Sequence, residues 1–298
     1  MQDYIKIARP DHWIKNIAIL PGILLAWAIG KPQDIQSSLL PVLMAFLSAF
    51  LIGSSNYTIN EILDADEDRQ HPSRCYRPVP SGKITPFLGY MQWFLLALCG
   101  LILAWFENCS FFLTALLFFV MGLVYNVKPI RTKDIFCLDI LSESFNSPLR
   151  FLLGWFTIKC ALLPPISLIM SFWMLGAFCM SVKRMAELRF IDNPKIAAAY
   201  RKSFSHYNQE RLIGYALFFA TLFGVFIGIF IMKYRTELVL ATPFLAGAFA
   251  IYIYEGFKKE TEMRCPEKLY KQKFLMAYLF LTLIVIVGCF MVHIPWIK

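Results

Sequence analysis

Apolar and polar positions follow one another along this chain in long blocks. Apolar runs long enough to cross a bilayer as helices, about 20 residues each, recur near 14–30, 38–58, 86–105, 110–127, 135–156, 163–182, 212–232, 237–255 and 274–294. Short polar segments rich in Lys, Arg and Pro separate them. Only Glu107-Asn108-Cys109 divides the third run from the fourth, which predicts a tight helical hairpin. The fifth run is interrupted at helical spacing: Asp139, Glu143, Asn146 and Arg150 stand at i, i+4, i+7 and i+11, one stripe among Leu, Ile, Phe and Pro. The pattern predicts an all-α integral membrane protein, nine transmembrane helices forming a single membrane domain over 1–298.

Composition agrees. Charged residues make up 16% of the chain and the mean hydropathy is +0.57, against roughly 25% charged in a soluble domain. Of the 29 lysines and arginines, 23 fall in the N-terminal segment and in alternate loops, from Lys6, Arg9 and Lys15 to Lys268, Lys271 and Lys273. The positive-inside rule then puts the N-terminus and those loops in the cytoplasm of a cell's inner membrane. Nine spans put the C-terminus on the far side. Topology accounts for the net charge of +9, because the cations are spread over five segments and form no nucleic-acid-binding module. The eight cysteines include no C-x-x-C pair and lie mostly in apolar runs, so they read as small buried hydrophobes without a disulfide framework. With Asp3 and Asp11 and no apolar core, the first twelve residues do not read as a signal peptide.

The densest chemistry lies in Asn60-Glu61-Ile62-Leu63-Asp64-Ala65-Asp66-Glu67-Asp68, which follows the second apolar run. On a helix Asn60, Asp64 and Asp68 fall within about 80° of one another, and Asn56 extends the same face. Carboxylates so placed repel unless a cation sits among them. Hard oxygen donors suit Mg²⁺, which takes one or two protein carboxylates and completes its shell with water and substrate phosphate. Asp139 and Glu143 repeat the i, i+4 spacing. Ionisable groups at membrane depth cost about 2.5–3.5 kcal/mol each on insertion scales and mark a cavity or pathway. Asn60, Asp64, Asp68, Asp139 and Glu143 are thus metal-ligand candidates, with Asp64, Asp68 and Asp139 as the catalytic set. Arg77, in a turn stiffened by Pro78, Pro80 and Gly82, is a candidate anion ligand. Lys133, Arg150, Lys183 and Arg184 join it, and Asn56 and Asn146 are further candidate substrate contacts. The polar stretch after the sixth run, with Tyr200-Arg201-Lys202-Ser203, has the length of a cap over a site. A solute carrier would also place carboxylates in the membrane, but two interrupted helices at matching repeat positions are not evident in the sequence.

Asn60 to Asp68 resembles the N-D-x-x-D-x-x-x-D motif of the UbiA superfamily of intramembrane prenyltransferases, with Glu61 in place of the usual Asp. Asp139 to Glu143 resembles its second acidic motif, with Glu replacing the last Asp. Arg9-Pro10, Trp13, Lys15-Asn16, the His71-Pro72 to Gly82 tail, Lys183-Arg184 with Ala186-Glu187-Leu188, Arg201-Lys202-Ser203 and Pro266-Glu267 are most similar to the decaprenyl-phosphate phosphoribosyltransferase branch. The resemblance implies nine helices around a central cavity with cytoplasmic caps, and Mg²⁺ between the acidic motifs and a diphosphate. It implies a diphosphate-containing donor and a polyprenyl lipid as substrates, within membrane lipid and without nucleic acid, and leaves a homo-oligomer open. Transfer of 5-phosphoribosyl from phosphoribosyl diphosphate to polyprenyl phosphate is the expected activity. The alternative is transfer of a prenyl chain from its diphosphate to an aromatic or other acceptor. Arg74-Cys75, Glu143 and Asn146 depart from the branch's usual residues.

Overall fold

The computed structural model describes residues 2–30, 39–69, 74–158, 160, 162–191, 201–258 and 261–292. The His71-Pro72 part of the basic tail and residues 192–200 of the expected cap lie outside the described residues. Every long element is a helix. The chain forms two compact units, one of residues 1–164 with 199–203, the other of 165–198 with 204–298.

In the first unit, α1 (Gln2–Ala8) runs into a 3₁₀ segment (Pro10–Ala18) and α2 (Ile19–Ile29). The chain breaks at Arg9, whose φ of 49° lies in the left-handed region and which precedes Pro10. There follow α3 (Leu39–Leu63), α4 (Ala65–Arg69), α5 (Pro86–Glu107), α6 (Cys109–Asn126), α7 (Leu138–Ser144) and α8 (Asn146–Thr157). Asn108 alone separates α5 from α6. Its extended backbone ends one helix while its side chain accepts the Phe111 N–H at 2.9 Å and so caps the next.

Close helix contacts are made by small residues. A Cβ on Gly22 of α2 would stand 2.0 Å from the Phe151 carbonyl oxygen of α8, and one on Gly154 of α8 would stand 2.0 Å from that of Ile19. The two glycines thus let α2 and α8 touch backbone to backbone, the usual means of helix association without a hydrophobic driving force. Ile19, Ala45, Ile52, Phe111, Phe118 and Leu153 fill the buried centre.

The second unit contains α9 (Ile166–Ile191), α10 (Gln209–Tyr234), α11 (Thr242–Gly256) and α12 (Lys273–Met291). α9 packs along α10, and Phe178 of α9 meets Phe249 and Tyr252 of α11.

Eight helical segments among the described residues are long and apolar enough to span a membrane, and the protein is an integral membrane protein. The ninth expected segment, 135–156, is present as two shorter helices, α7 and α8. Pro148 lies in the first turn of α8 and has no N–H to give to the preceding turn, so a helix starts there more readily than it continues. The single stripe expected for Asp139, Glu143, Asn146 and Arg150 is therefore divided between two helices. The cysteines also need correction. None is in a disulfide, but Cys99 and Cys109 are exposed, five are half-buried and only Cys289 is buried. The outer surface of a membrane helix meets hydrocarbon, so a small apolar side chain is stable there without burial.

Candidate functional site

The acidic stretch sits where α3 gives way to α4. Helical hydrogen bonding persists across the junction, from Asp64 N–H to Asn60 O at 3.1 Å and from Asp68 N–H to Asp64 O at 2.8 Å. The expected common face of Asn60, Asp64 and Asp68 is thus retained. Two other segments meet this face: the turn over 74–82, and the 3₁₀ turn Thr132–Asp134 that follows Arg131.

Asp64 accepts from Lys133 Nζ and, at 3.1 Å, from Arg131 Nη2. Arg131 also reaches Glu67 at 2.6 Å and Asp134 at 3.0 Å. Asp68 accepts from Arg77 Nη1 at 2.5 Å and lies 3.7 Å from Arg74. Asn60 donates its amide nitrogen to Asn126 Oδ1 at 2.5 Å, and the same oxygen takes Lys133 Nζ at 3.1 Å. Asn126 is itself fixed by donating to the Gly122 carbonyl at 2.8 Å. Asp64, Glu67, Asp68 and Asp134 thus face Arg74, Arg131, Lys133, Arg201 and Lys202 around a cleft of about 60 Å³. That is room for several water-sized groups, since one needs roughly 10–15 Å³. Five cations against four carboxylates leave the lining one charge positive.

Electrostatics distinguish the cations. Burial pulls the Lys133 ammonium below its usual range, opposed by Asp64 and reinforced by Arg131 and Arg201. Burial also lowers Arg77, with the charge of Arg9 acting in the same sense and Asp68 and Glu61 against it. For Arg131 the cost of burial is outweighed by Asp64, Glu67 and Asp134, and its value is raised.

The second acidic pair is placed differently. Asp139 is fully buried, accepts the Ser203 hydroxyl at 3.2 Å and lies 3.9 Å from Arg201 Nη1. Arg201 also donates to the Tyr125 hydroxyl at 3.1 Å and lines the cleft. Glu143, one turn on, interacts electrostatically with Lys15, as do Tyr57 and Arg150. Asn146 donates to the Glu143 carbonyl at 3.1 Å, while its own Oδ1 is buried without a hydrogen bond. Arg150 is buried in protein: Nε donates to Asn16 Oδ1 at 2.8 Å, Nη1 to Asn146 O at 3.3 Å, and the guanidinium lies 4.9 Å from the Phe118 ring centroid. Asn56 donates to the Phe118 carbonyl at 3.0 Å and packs where a Cβ on Gly122 would collide with it.

Of the residues singled out in the sequence, the structure brings Asp64, Asp68, Asn60, Arg77 and Lys133 together. Asp139 approaches the same group through Arg201. Glu143, Asn146 and Arg150 gather around Lys15 and Asn16, and Asn56 is used in helix packing. Lys183 and Arg184 belong to the second unit, where both pair with Glu187 on α9, at 4.0 and 2.8 Å. Arg74, Arg131 and Arg201, cations of the loops that flank the acidic motifs, join the group around Asp64 and Asp68, and so does Asn126 of α6. Lys128, Arg131 and Lys133 fall within six residues, a spacing that reads as an anion clamp. For Asn126 no local signal exists, since its partner lies 66 residues away.

No group of three or more His, Cys, Asp or Glu that could hold a metal unaided occurs among the described residues. The donors that do converge are carboxylates with hard oxygens, and this fits a cation of the Mg²⁺ type that draws the rest of its shell from water and phosphate.

The pattern of the UbiA prenyltransferase family matches residues 17–284. The decaprenyl-phosphate phosphoribosyltransferase of Mycobacterium tuberculosis is 29% identical over 208 residues, 70% of this chain and 67% of the relative. The enzyme of the same name from Mycolicibacterium smegmatis is 30% identical, over 70% of this chain and 63% of its own length. In fold, the chain is similar to a UbiA homologue from Archaeoglobus fulgidus solved with GPP and Mg²⁺, with a TM-score of 0.73, 19% identity, and coverage of 97% of this chain and 98% of that one.

Proposed function

This chain belongs to the UbiA prenyltransferase family and is a membrane transferase, and from that premise we propose that it transfers 5-phosphoribosyl from phosphoribosyl diphosphate to a polyprenyl phosphate, with Mg²⁺, on the cytoplasmic face of the membrane. The observation that carries this is the cleft itself, hard-oxygen donors interleaved with a surplus of buried and half-buried cations, in a chain similar to two enzymes named for that transfer.

Asp64 and Asp68 would hold Mg²⁺, with Asn60 beside them. The metal, when bound, neutralises diphosphate charge as a Lewis acid. Arg131 and Lys133 of the cleft lining, with Arg77 held beside it by the lining residue Asp68, bind diphosphate oxygens and hold the leaving group in place before the reaction begins, so little reorganisation is needed as charge develops. A phosphate oxygen of the acceptor attacks ribose C1. The C1–O bond to diphosphate breaks, and the electron pair leaves with the diphosphate. No base is required, because the acceptor phosphate is already an anion. Asn126 keeps Lys133 and Asn60 in register by accepting from both.

Prenyl transfer to another acceptor is the second reading, favoured by the GPP-bound fold relative. Purified protein with Mg²⁺ and polyprenyl phosphate is expected to release diphosphate from phosphoribosyl diphosphate. Release from a prenyl diphosphate, and never from phosphoribosyl diphosphate, overturns the proposal in favour of the second reading.

A further inference from the structure

Glu61 stands within the acidic stretch but turns away from the cleft. It is 1% exposed and lines none of the site. One carboxylate oxygen, Oε1, accepts the backbone N–H of Val79 at 3.2 Å, and Oε2 lies 3.5 Å from Arg9 Nη2. Pro78 and Pro80 flank Val79, and neither has an N–H to give. Val79 therefore carries the one backbone donor in these three residues. It is buried, and a buried N–H left unpaired costs about 1–3 kcal/mol.

The turn that Glu61 holds is the one that carries Arg74 and Arg77. It is closed on itself by hydrogen bonds from Arg77 N–H to Arg74 O and from Ser81 N–H to Arg77 O, each 3.0 Å, and by Gly82, whose φ of 77° suits glycine. Its arginine side chains are tied to the same stretch through Asp68, which accepts from Arg77 at 2.5 Å and lies 3.7 Å from Arg74. Arg69 Nε reaches Pro80 O at 3.4 Å, and Val79 packs with Ile7, Ile62, Ala65 and Ile84. Glu61 thus holds the backbone of the turn at Val79, while Asp68 holds the side chain of Arg77, two residues before it.

We propose that Glu61 is a positioning residue: by holding Val79 N–H and Arg9, it sets the height of the 74–82 turn and so aims Arg77 at the diphosphate of the donor. This rests on the reading of the cleft as a diphosphate site, but not on the identity of the donor. Glu61 touches no substrate and takes no part in bond making.

The test is a double-mutant cycle on the full-length protein in detergent or nanodiscs, with the affinity for inorganic diphosphate in the presence of Mg²⁺ as the readout. Glu61→Ala is expected to weaken diphosphate about tenfold in the wild-type background and less than twofold in an Arg77→Ala background, because the two residues act through one interaction. Glu61→Asp keeps the charge but is one methylene shorter. It guards against a Glu61→Ala variant that fails to fold, and is expected to lose about threefold, again only when Arg77 is present. Equal losses in both backgrounds, or wild-type affinity in Glu61→Asp together with an uncoupled Glu61→Ala, overturn the proposal. Wild-type protein that binds diphosphate with Mg²⁺ but never turns over phosphoribosyl diphosphate refutes only the donor assignment. Wild-type protein that binds no diphosphate refutes both readings.

Discussion

The two acidic segments share a spacing and differ in everything that packs on them. Asp64 and Asp68 are one helical turn apart, as are Asp139 and Glu143. The first pair borders a cleft and is neutralised by cations from two separate loops, Arg74 and Arg77 on one side and Arg131 and Lys133 on the other. Of the second pair, Asp139 is sealed under Ser203 and Arg201, and Glu143 interacts electrostatically with Lys15. Spacing along a helix decides which side chains are neighbours. The segments that fold against the helix decide whether those neighbours meet solvent, a ligand or each other.

The comparison can be broken most severely at Asp64. Asp64→Asn keeps the shape and an acceptor for Lys133 but removes the charge, and is expected to lower kcat/KM on the order of a thousandfold. Turnover should also vanish in excess chelator. Activity near wild type in either experiment would remove the cation from the first segment. Detergent-stable, monodisperse Asp64→Asn protein is the necessary control, because Lys133 and Arg131 lose their buried counter-charge.

Asp139→Asn should be milder and of a different kind. It removes the charge beside Arg201 while the bond to the Tyr125 hydroxyl stays, so the KM for the donor should rise about tenfold with kcat little changed. A fall in kcat as deep as that of Asp64→Asn would mean that the second segment acts on the reacting groups directly.

How much of this could be read in the sequence follows from the same contrast. Asn60, Asp64 and Asp68 were legible because helix geometry fixes their common face whatever surrounds it. Arg77 and Lys133 were legible as cations beside prolines that stiffen their loops. Asn126 was not, because its role comes from a contact between α3 and α6 that no local pattern encodes. The division between α7 and α8 was hidden by an unbroken apolar run, although Pro148 marks the point. Arg150 was expected to face a cavity on the ground that charge at membrane depth is costly. It is buried against Asn16, Asn146 and Phe118, so the cost is met by hydrogen bonds and an aromatic face.

Arg150→Leu then becomes a test of stability as well as of activity. It leaves Asn16 Oδ1 buried without its donor, a cost of about 1–3 kcal/mol. Thermal unfolding in detergent should shift downward, and Asn16→Leu added to it should recover part of the loss, since removing both partners leaves neither unsatisfied. A leucine variant more stable than the wild type would place the guanidinium in contact with lipid.

The smallest effect is expected at Glu143, and it bears most closely on the difference between the segments. Its spacing from Asp139 matches a second metal-binding pair, yet it does not line the cleft and its electrostatic partner is Lys15. Glu143→Gln retains the shape and two polar atoms while removing the charge. If Glu143 serves to balance Lys15, the variant should keep kcat/KM within about threefold of wild type and require the same Mg²⁺ concentration for half-maximal activity, because ground-state and transition-state interactions in the cleft are untouched. A Mg²⁺ requirement raised tenfold or more would instead assign Glu143 to the cation. The lysine offers a cross-check that does not depend on turnover. Lys15→Met alone should destabilise the protein by leaving the half-buried Glu143 without a cation nearby, and combining it with Glu143→Gln should restore part of the lost thermal stability, since a charge removed from water is costly chiefly when its partner is gone.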